Sequence, residues 1–176
     1  MLISHGKWRN GISWEFHTGI ISCNELQNIT AATVIIFSPN YKKVLLTFNT
    51  KRNQWEFPGG KIDVGEGVKE AAIRESFEEG GIVIKNLLVF GYRKVVDITG
   101  TINTSTGRVF PNPSFVIYHR TTSNQQPQYP LTALECSRAK YFDIDNSIIS
   151  SEDKVIIKTA LYYKKYQINT WCFFVI

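Results

Sequence analysis

Glu75, Glu78 and Glu79 stand at i, i+3 and i+4. In a helix turning about 100° per residue this spacing gathers three carboxylates on one side, where like charges repel. A divalent cation would relieve that repulsion, and hard oxygen donors select Mg²⁺, Mn²⁺ or Ca²⁺ over zinc. The competing reading is a solvated acidic face. Position weighs against it, because Glu75 lies seven residues after Val68 and Glu79 seven after Ala72, so both acids share a sector with small apolar residues that should meet a sheet. Arg74, four residues before Glu78, can hold that acid through a charge-assisted hydrogen bond, although an ordinary surface pair explains the spacing equally simply.

Upstream, Pro58-Gly59-Gly60-Lys61 reads as a tight loop whose glycines let backbone approach a ligand or metal closely. Gly60, Glu66 after five residues, Arg74-Glu75 after seven more, then Glu78-Glu79, Gly81 and Ile82 together resemble the Nudix box, GX5EX7REUXEEXGU, where U is aliphatic. Ser76 at the first U position is the one departure, and a small hydroxyl side chain can still pack there. The lead-in Trp55-Glu56-Phe57-Pro58 is also similar to that family, and the order of elements fits over about residues 29–166.

The resemblance implies an α/β fold, a mixed β-sheet sandwiched between helices, with the box as a loop-helix-loop at one edge. It implies metal ligation by Glu75, Glu78, Glu79 and the Gly59 carbonyl. Arg74 and Glu66 would fix the acids and the loop, placing Arg74 in the catalytic group and Glu66 beside substrate. Lys61 is either a phosphate neighbour or an exposed loop lysine. The implied reaction is Mg²⁺-dependent, with Mn²⁺ as an alternative: attack of water on phosphorus in a diphosphate bridge, carried by positioning and electrostatics and not by a Ser or Cys nucleophile. A nucleoside triphosphate yielding monophosphate and pyrophosphate is the first choice of substrate. ADP-ribose, a nucleotide sugar or a dinucleoside polyphosphate is the alternative, and RNA cap removal or a catalytically silent ligand-binding module ranks lower. Between Asp97 and Glu135 there is no acidic residue, so Glu135 is the first candidate for a base outside the box, weighed equally against a surface acid. Asp97 and Glu75 follow. Phe90, Tyr92, Phe115 and Asn112 could read a base or could be core and turn residues.

Periodicity places the elements that must carry these groups. Residues 29–37 form a β-branched run of the kind buried on both faces, and Lys43 to Phe48 should pair with it as a hairpin. Trp55 to Phe57 is a shorter strand. Helical spacing runs from Gly67 to Glu79 and stops at Gly80-Gly81. Strands are expected again at 82–93, 114–120 and 138–142, and a closing helix at 151–166. Ser13 to His17 suggests an extra strand or hairpin within an N-terminal extension, residues 1–28.

A chain of 176 residues is expected to form one domain with its own core. With 43% apolar and 20% charged residues, it has the balance of a soluble globular protein. The net charge of +5 suits an anionic nucleotide, but no basic run is long enough to suggest nucleic acid. Cys23, Cys136 and Cys172 are odd in number and widely spaced, so reduced thiols are expected. His5, His17 and His119 read as structural or exposed. The N-terminus lacks a signal peptide's apolar stretch and no run approaches a membrane span, so the expected location is cytoplasmic. The apolar end, residues 167–176, should dock on the domain or on a second subunit, leaving a monomer or a homodimer.

Overall fold

The computed structural model describes residues 1–7, 12–19, 21–97 and 111–166. The apolar C-terminal stretch and most of the turn-rich segment after Asp97 therefore lie outside the described residues. Among the described residues, nine strands, a short 3₁₀ segment (Cys23–Asn28) and two helices follow in the order β1 (Leu2–Lys7), β2 (Ser13–His17), β3 (Ile29–Phe37), β4 (Lys43–Asn49), β5 (Gln54–Glu56), β6 (Gly59–Lys61), α1 (Val68–Glu78), β7 (Leu88–Val96), β8 (Ser114–Thr122), β9 (Cys136–Asp143) and α2 (Ser151–Lys165).

All nine strands join one mixed sheet along the path β1-β2-β7-β8-β3-β4-β5, with β6 added on β3 and β9 on β4. β3 and β8 run parallel from Ile29↔Phe115 to Phe37↔Thr122, and the other pairs are antiparallel. The β-branched run at β3 is central because its two faces feed different cores. Ile35 and Phe37 point to a cluster closed by Ile156, Ile157 and Ala160 of α2, while Ala32, Val34 and Ile36 point to one closed by Ala71 and Ala72 of α1. The sheet is thus sandwiched between the helices. Burying an isoleucine such as Ile156 contributes about 1.5–3 kcal/mol, which explains why α2 docks by that stripe.

Three expectations need correction. The β3–β4 hairpin narrows to a single pair, Phe37↔Val44, beyond which the strands part and β4 takes β9 and β5 as neighbours. The strand expected from Ile82 begins only at Leu88, because Ile82 and Ile84 are spent as buried plugs beneath α1 instead of on a ladder. The Pro58 to Lys61 loop is partly a strand: Gly59, Gly60 and Lys61 pair with Thr33, Ala32 and Ala31. The N-terminal hairpin is real and extends the sheet, with β2 pairing β7 from Ser13↔Val96 to His17↔Tyr92.

Candidate active site

α1 forms where the sequence predicts it. The Gly67 amide donates to the Glu70 carboxylate at 2.7 Å, supplying one half of a capping box, and Gly81 ends the helix at φ +63 with its amide donating to the Phe77 carbonyl. Ser76, the off-pattern residue, is fully buried and donates to the Ala72 carbonyl at 2.7 Å, so its hydroxyl is satisfied within the helix. That leaves one face of α1 to lie against β3 and β6.

Glu75 and Glu79 occupy this face and are 8% and 4% exposed, whereas Glu78 sits at its rim, half-buried. Burial pushes the carboxyl of Glu75 up despite its contact with Arg74, and burial pushes that of Glu79 up to about 7. Glu79 is held at both oxygens: the Gly59 amide donates to one at 2.9 Å, and the Cys136 thiol donates to the other at 3.4 Å. Glu75 packs so tightly on β6 that a Cβ on Gly60 would collide with its carboxylate. A Cβ on Gly59 would sit 2.7 Å from the Ala32 carbonyl. Both glycines are therefore required by close approach, and neither has positive φ.

Arg74 ties the acids together. It bonds Glu66 twice (2.8 and 2.9 Å), Glu75 (2.8 Å), Glu78 (3.0 Å) and the Lys61 carbonyl (2.9 Å). Its hydrogen bonds to Glu66 are the main influence raising its already high basicity and lowering the Glu66 carboxyl. The arginine therefore goes well beyond the single pairing with Glu78. Among the described residues no three His, Cys, Asp or Glu side chains already converge as a cation shell, and Arg74 bonds oxygens of Glu75 and Glu78. The donors nonetheless suit a hard divalent cation: they are all oxygen, and two are buried carboxylates held in the high-pKa condition that a bound cation would reverse.

Glu135 is not brought onto this face. Its carboxylate pairs with Lys51 at 3.0 Å, and it is the next residue, Cys136, that reaches Glu79. Lys61 is exposed at the end of β6. Of the base-reading candidates, Phe90 and Phe115 are fully buried, Tyr92 stacks on His17 at 5.1 Å, and Asn112 binds the Asp97 backbone. Their core and turn readings hold.

Sequence reasoning missed the space beside the acids. A cleft of about 1100 Å³ opens from Gly59 and is lined by Trp55, Glu56, Phe57, Arg93, Tyr118 and the first turn of α2, among others. Glu56 accepts from Asn49 (2.7 Å), Arg52 (2.8 Å) and Gln54 (3.1 Å), and its charge is close enough to raise the Glu79 carboxyl further. The available signal was Glu56 itself, inside the Trp55 to Gly60 lead-in.

The NUDIX domain family model matches residues 27–157. An 8-oxo-dGTP diphosphatase from Buchnera aphidicola is 44% identical over 52 residues, 29% of this chain and 42% of that protein. The Nudix hydrolase YvcI of Bacillus subtilis is 50% identical over 44 residues, 25% of this chain and 28% of that protein. The matches thus span less than half the length of these relatives. The crystal structure of the B. subtilis pyrophosphohydrolase BsRppH superposes with a TM-score of 0.65 at 20% identity, covering 94% of this chain and 99% of that one. The NUDIX domain of Shewanella oneidensis NrtR, complexed with ADP ribose, gives 0.59 at 14% identity over 78% and 88%. These two likenesses concern the fold.

Proposed function

The chain belongs to the NUDIX family, and from that premise we propose that it is a divalent-metal-dependent pyrophosphohydrolase, cleaving a nucleoside triphosphate to monophosphate and pyrophosphate. The observation that carries this reading is the buried Glu75–Glu79 pair, facing the Gly59-Gly60 strand and knitted to Glu66 and Glu78 by Arg74. The relative named as an 8-oxo-dGTP diphosphatase favours it over other substrates of the family.

Glu75, Glu78, Glu79 and the Gly59 carbonyl are the groups that would hold Mg²⁺ or Mn²⁺. When bound, the cation supplies polarisation of the phosphate oxygens and screening of their charge. Glu79, fixed by Gly59 and Cys136, presents its carboxylate without a rotamer search. Arg74 stays anchored through its two bonds to Glu66, so Glu75 and Glu78 can turn from it toward another cation without the arginine leaving. Lys61, exposed at the end of β6, is a candidate phosphate neighbour. Glu56, which accepts hydrogen bonds from three donors at the edge of the cleft, is the first candidate to take the proton of the attacking water; Glu135 is the second. The cleft beside Gly59 seats the nucleoside.

A panel of nucleoside triphosphates, ADP-ribose and dinucleoside polyphosphates, incubated with Mg²⁺ and assayed for phosphate and pyrophosphate, tests the reading. Pyrophosphate from a triphosphate is the expected result. Turnover of ADP-ribose alone would transfer the assignment to the alternative substrate class.

A further inference from the structure

Alternate residues of β4 face α1. Leu45 packs there as core, and then the same side turns polar, with Thr47 fully buried and Asn49 only 1% exposed. A buried amide needs partners at both its ends, because leaving either unmet is costly. The Oδ1 of Asn49 accepts the Arg52 amide at 3.0 Å, closing the turn that leads to β5 through Asn53 at φ +54. Its Nδ2 donates to Glu56 Oε1 at 2.7 Å. That acid lies diagonally across the β4–β5 ladder, where Asn49 pairs with Gln54 and Thr47 with Glu56. The other carboxylate oxygen, Oε2, is held differently: Arg52 donates to it at 2.8 Å and Gln54 at 3.1 Å, and both side chains are exposed, that of Arg52 by 62%. An exposed ion pair contributes little. One oxygen of Glu56 is therefore anchored from inside the protein, and the other is covered only from the solvent side. Asn49 also stands opposite Cys136 at the end of the β4–β9 ladder. The holder of Glu56 and the thiol that holds Glu79 are thus neighbours, and the charge of Glu56 acts on the Glu79 carboxyl.

We propose that Asn49 is a positioning residue for the proton acceptor: its buried amide fixes Glu56 by Oε1, so that Oε2, covered only by the exposed Arg52 and Gln54, is the oxygen that takes the proton of the attacking water. This deepens the reaction proposed above and rests on Glu56 as its base. The water oxygen bonds to phosphorus, its proton passes to Oε2, and the bridging oxygen leaves with the other phosphate group. Arg52, Gln54 and Glu56 line the cleft whereas Asn49 does not, so Asn49 touches no substrate and acts through Glu56. An amide suits the task. It donates in a fixed direction and carries no charge, so it holds the carboxylate without neutralising it, as a lysine or arginine in its place would.

Asn49→Asp separates this role from a purely structural one. Aspartate has the same shape and keeps an acceptor for the Arg52 amide, so the turn still closes, but it has no donor for Glu56. Full-length wild type is compared with Asn49→Asp, Arg52→Gln, Glu56→Gln and the double variant Asn49→Asp/Glu56→Gln, each first checked by circular dichroism. Two readouts are taken: kcat and KM with Mg²⁺ for the substrate turned over fastest, and the side-chain amide signal of Asn49 in a ¹⁵N–¹H spectrum without metal, assigned through the backbone of that residue. Asn49→Asp should lower kcat by about tenfold or more with KM little changed, and Arg52→Gln should lower it far less. The double variant should be no slower than Glu56→Gln alone, since Asn49 acts through that acid. The amide signal should move in Glu56→Gln and far less in Arg52→Gln. Additive losses in the double variant, or a folded Asn49→Asp with wild-type kcat, would overturn the proposal and leave Glu56 as the base. Should Asn49→Asp not fold, the amide signal decides, because it needs neither turnover nor metal: a signal unmoved in Glu56→Gln would overturn the proposal, and a moved one supports it. Wild-type kcat in Glu56→Gln would instead remove the base itself, and the proposal with it.

Discussion

Glu79 is the residue on which the proposed chemistry turns, and its burial makes two predictions. Replacing it by Gln removes a charge but keeps the bonding partners at Gly59 and Cys136, so turnover should fall by orders of magnitude with the fold intact. The second concerns pH in the absence of metal. Glu79's carboxyl is raised from 4.5 to about 7, so between those values the folded state keeps a proton that the unfolded state has lost. Metal-free stability should therefore decline as pH rises from about 4.5 through 7, then level off. In Glu79→Gln that decline should be weaker, which thermal melts at pH 5, 6, 7 and 8 would reveal. Equal pH slopes for the two proteins would contradict the burial assigned to this acid. For the proton acceptor, Glu56→Gln should lower kcat by about 10²-fold or more with little change in KM, and Glu135→Gln by much less. The reverse ranking, from steady-state kinetics, would move the base to Glu135. The box acids and Arg74 were legible in the sequence because their helical spacing is local. Glu56 was not singled out, because its partners lie on a turn and a neighbouring strand that no linear pattern connects.

At the scale of elements, β6 is the part that gives the acids their place. It pairs antiparallel with β3 and presents two glycines to Glu75 and Glu79. Gly60→Ala should force the Glu75 carboxylate aside, at a cost of about 1–3 kcal/mol from overpacking, with weakened Mn²⁺ binding; denaturant titration and Mn²⁺ electron paramagnetic resonance would check both. Wild-type metal binding in that variant would show that Glu75 need not sit where it does. β8 carries a separate prediction. His119 is 2% exposed, bonds the Thr33 backbone and has its Nδ1 without a partner among the described residues. Burial pushes its pKa down from 6.5 to about 4, so the unfolded chain takes up a proton first as pH falls. Stability should drop between pH 6.5 and 4 on this account, and His119→Leu should flatten that limb of the melting curve. Helix boundaries were readable to within a residue or so, thanks to Gly67 and Gly80-Gly81 around α1 and to apolar periodicity in α2. The short β6 was not, since two adjacent glycines read as a turn until β3 is beside them. Nor was the late start of β7, because apolar Ile82 and Ile84 resemble a strand but plug the space under α1.

At the scale of the molecule, one sheet separates two cores and brings together residues far apart in sequence. The parallel β3–β8 pairing puts Tyr118 near Thr33 and Gly59, while β7 and α2 deliver Arg93, Glu152 and Asp153 to the same cleft. The family and the α/β class could be read from one local motif, but strand order and the cleft depend on pairings over long separations, which periodicity does not encode. The position of the N-terminal hairpin is the clearest case: an aromatic strand was visible at Ser13 to His17, but its neighbour β7 was not. In the proposed reaction the buried acids of α1 direct cleavage within a diphosphate bridge. Its most direct test is to incubate the preferred nucleoside triphosphate with Mg²⁺ and wild type or Glu79→Gln, then separate the products by chromatography. Wild type should yield nucleoside monophosphate and pyrophosphate, with no product in the absence of metal and next to none from a well-folded Glu79→Gln. Near-wild-type turnover by that variant, or a nucleoside diphosphate with orthophosphate as the products, would contradict it.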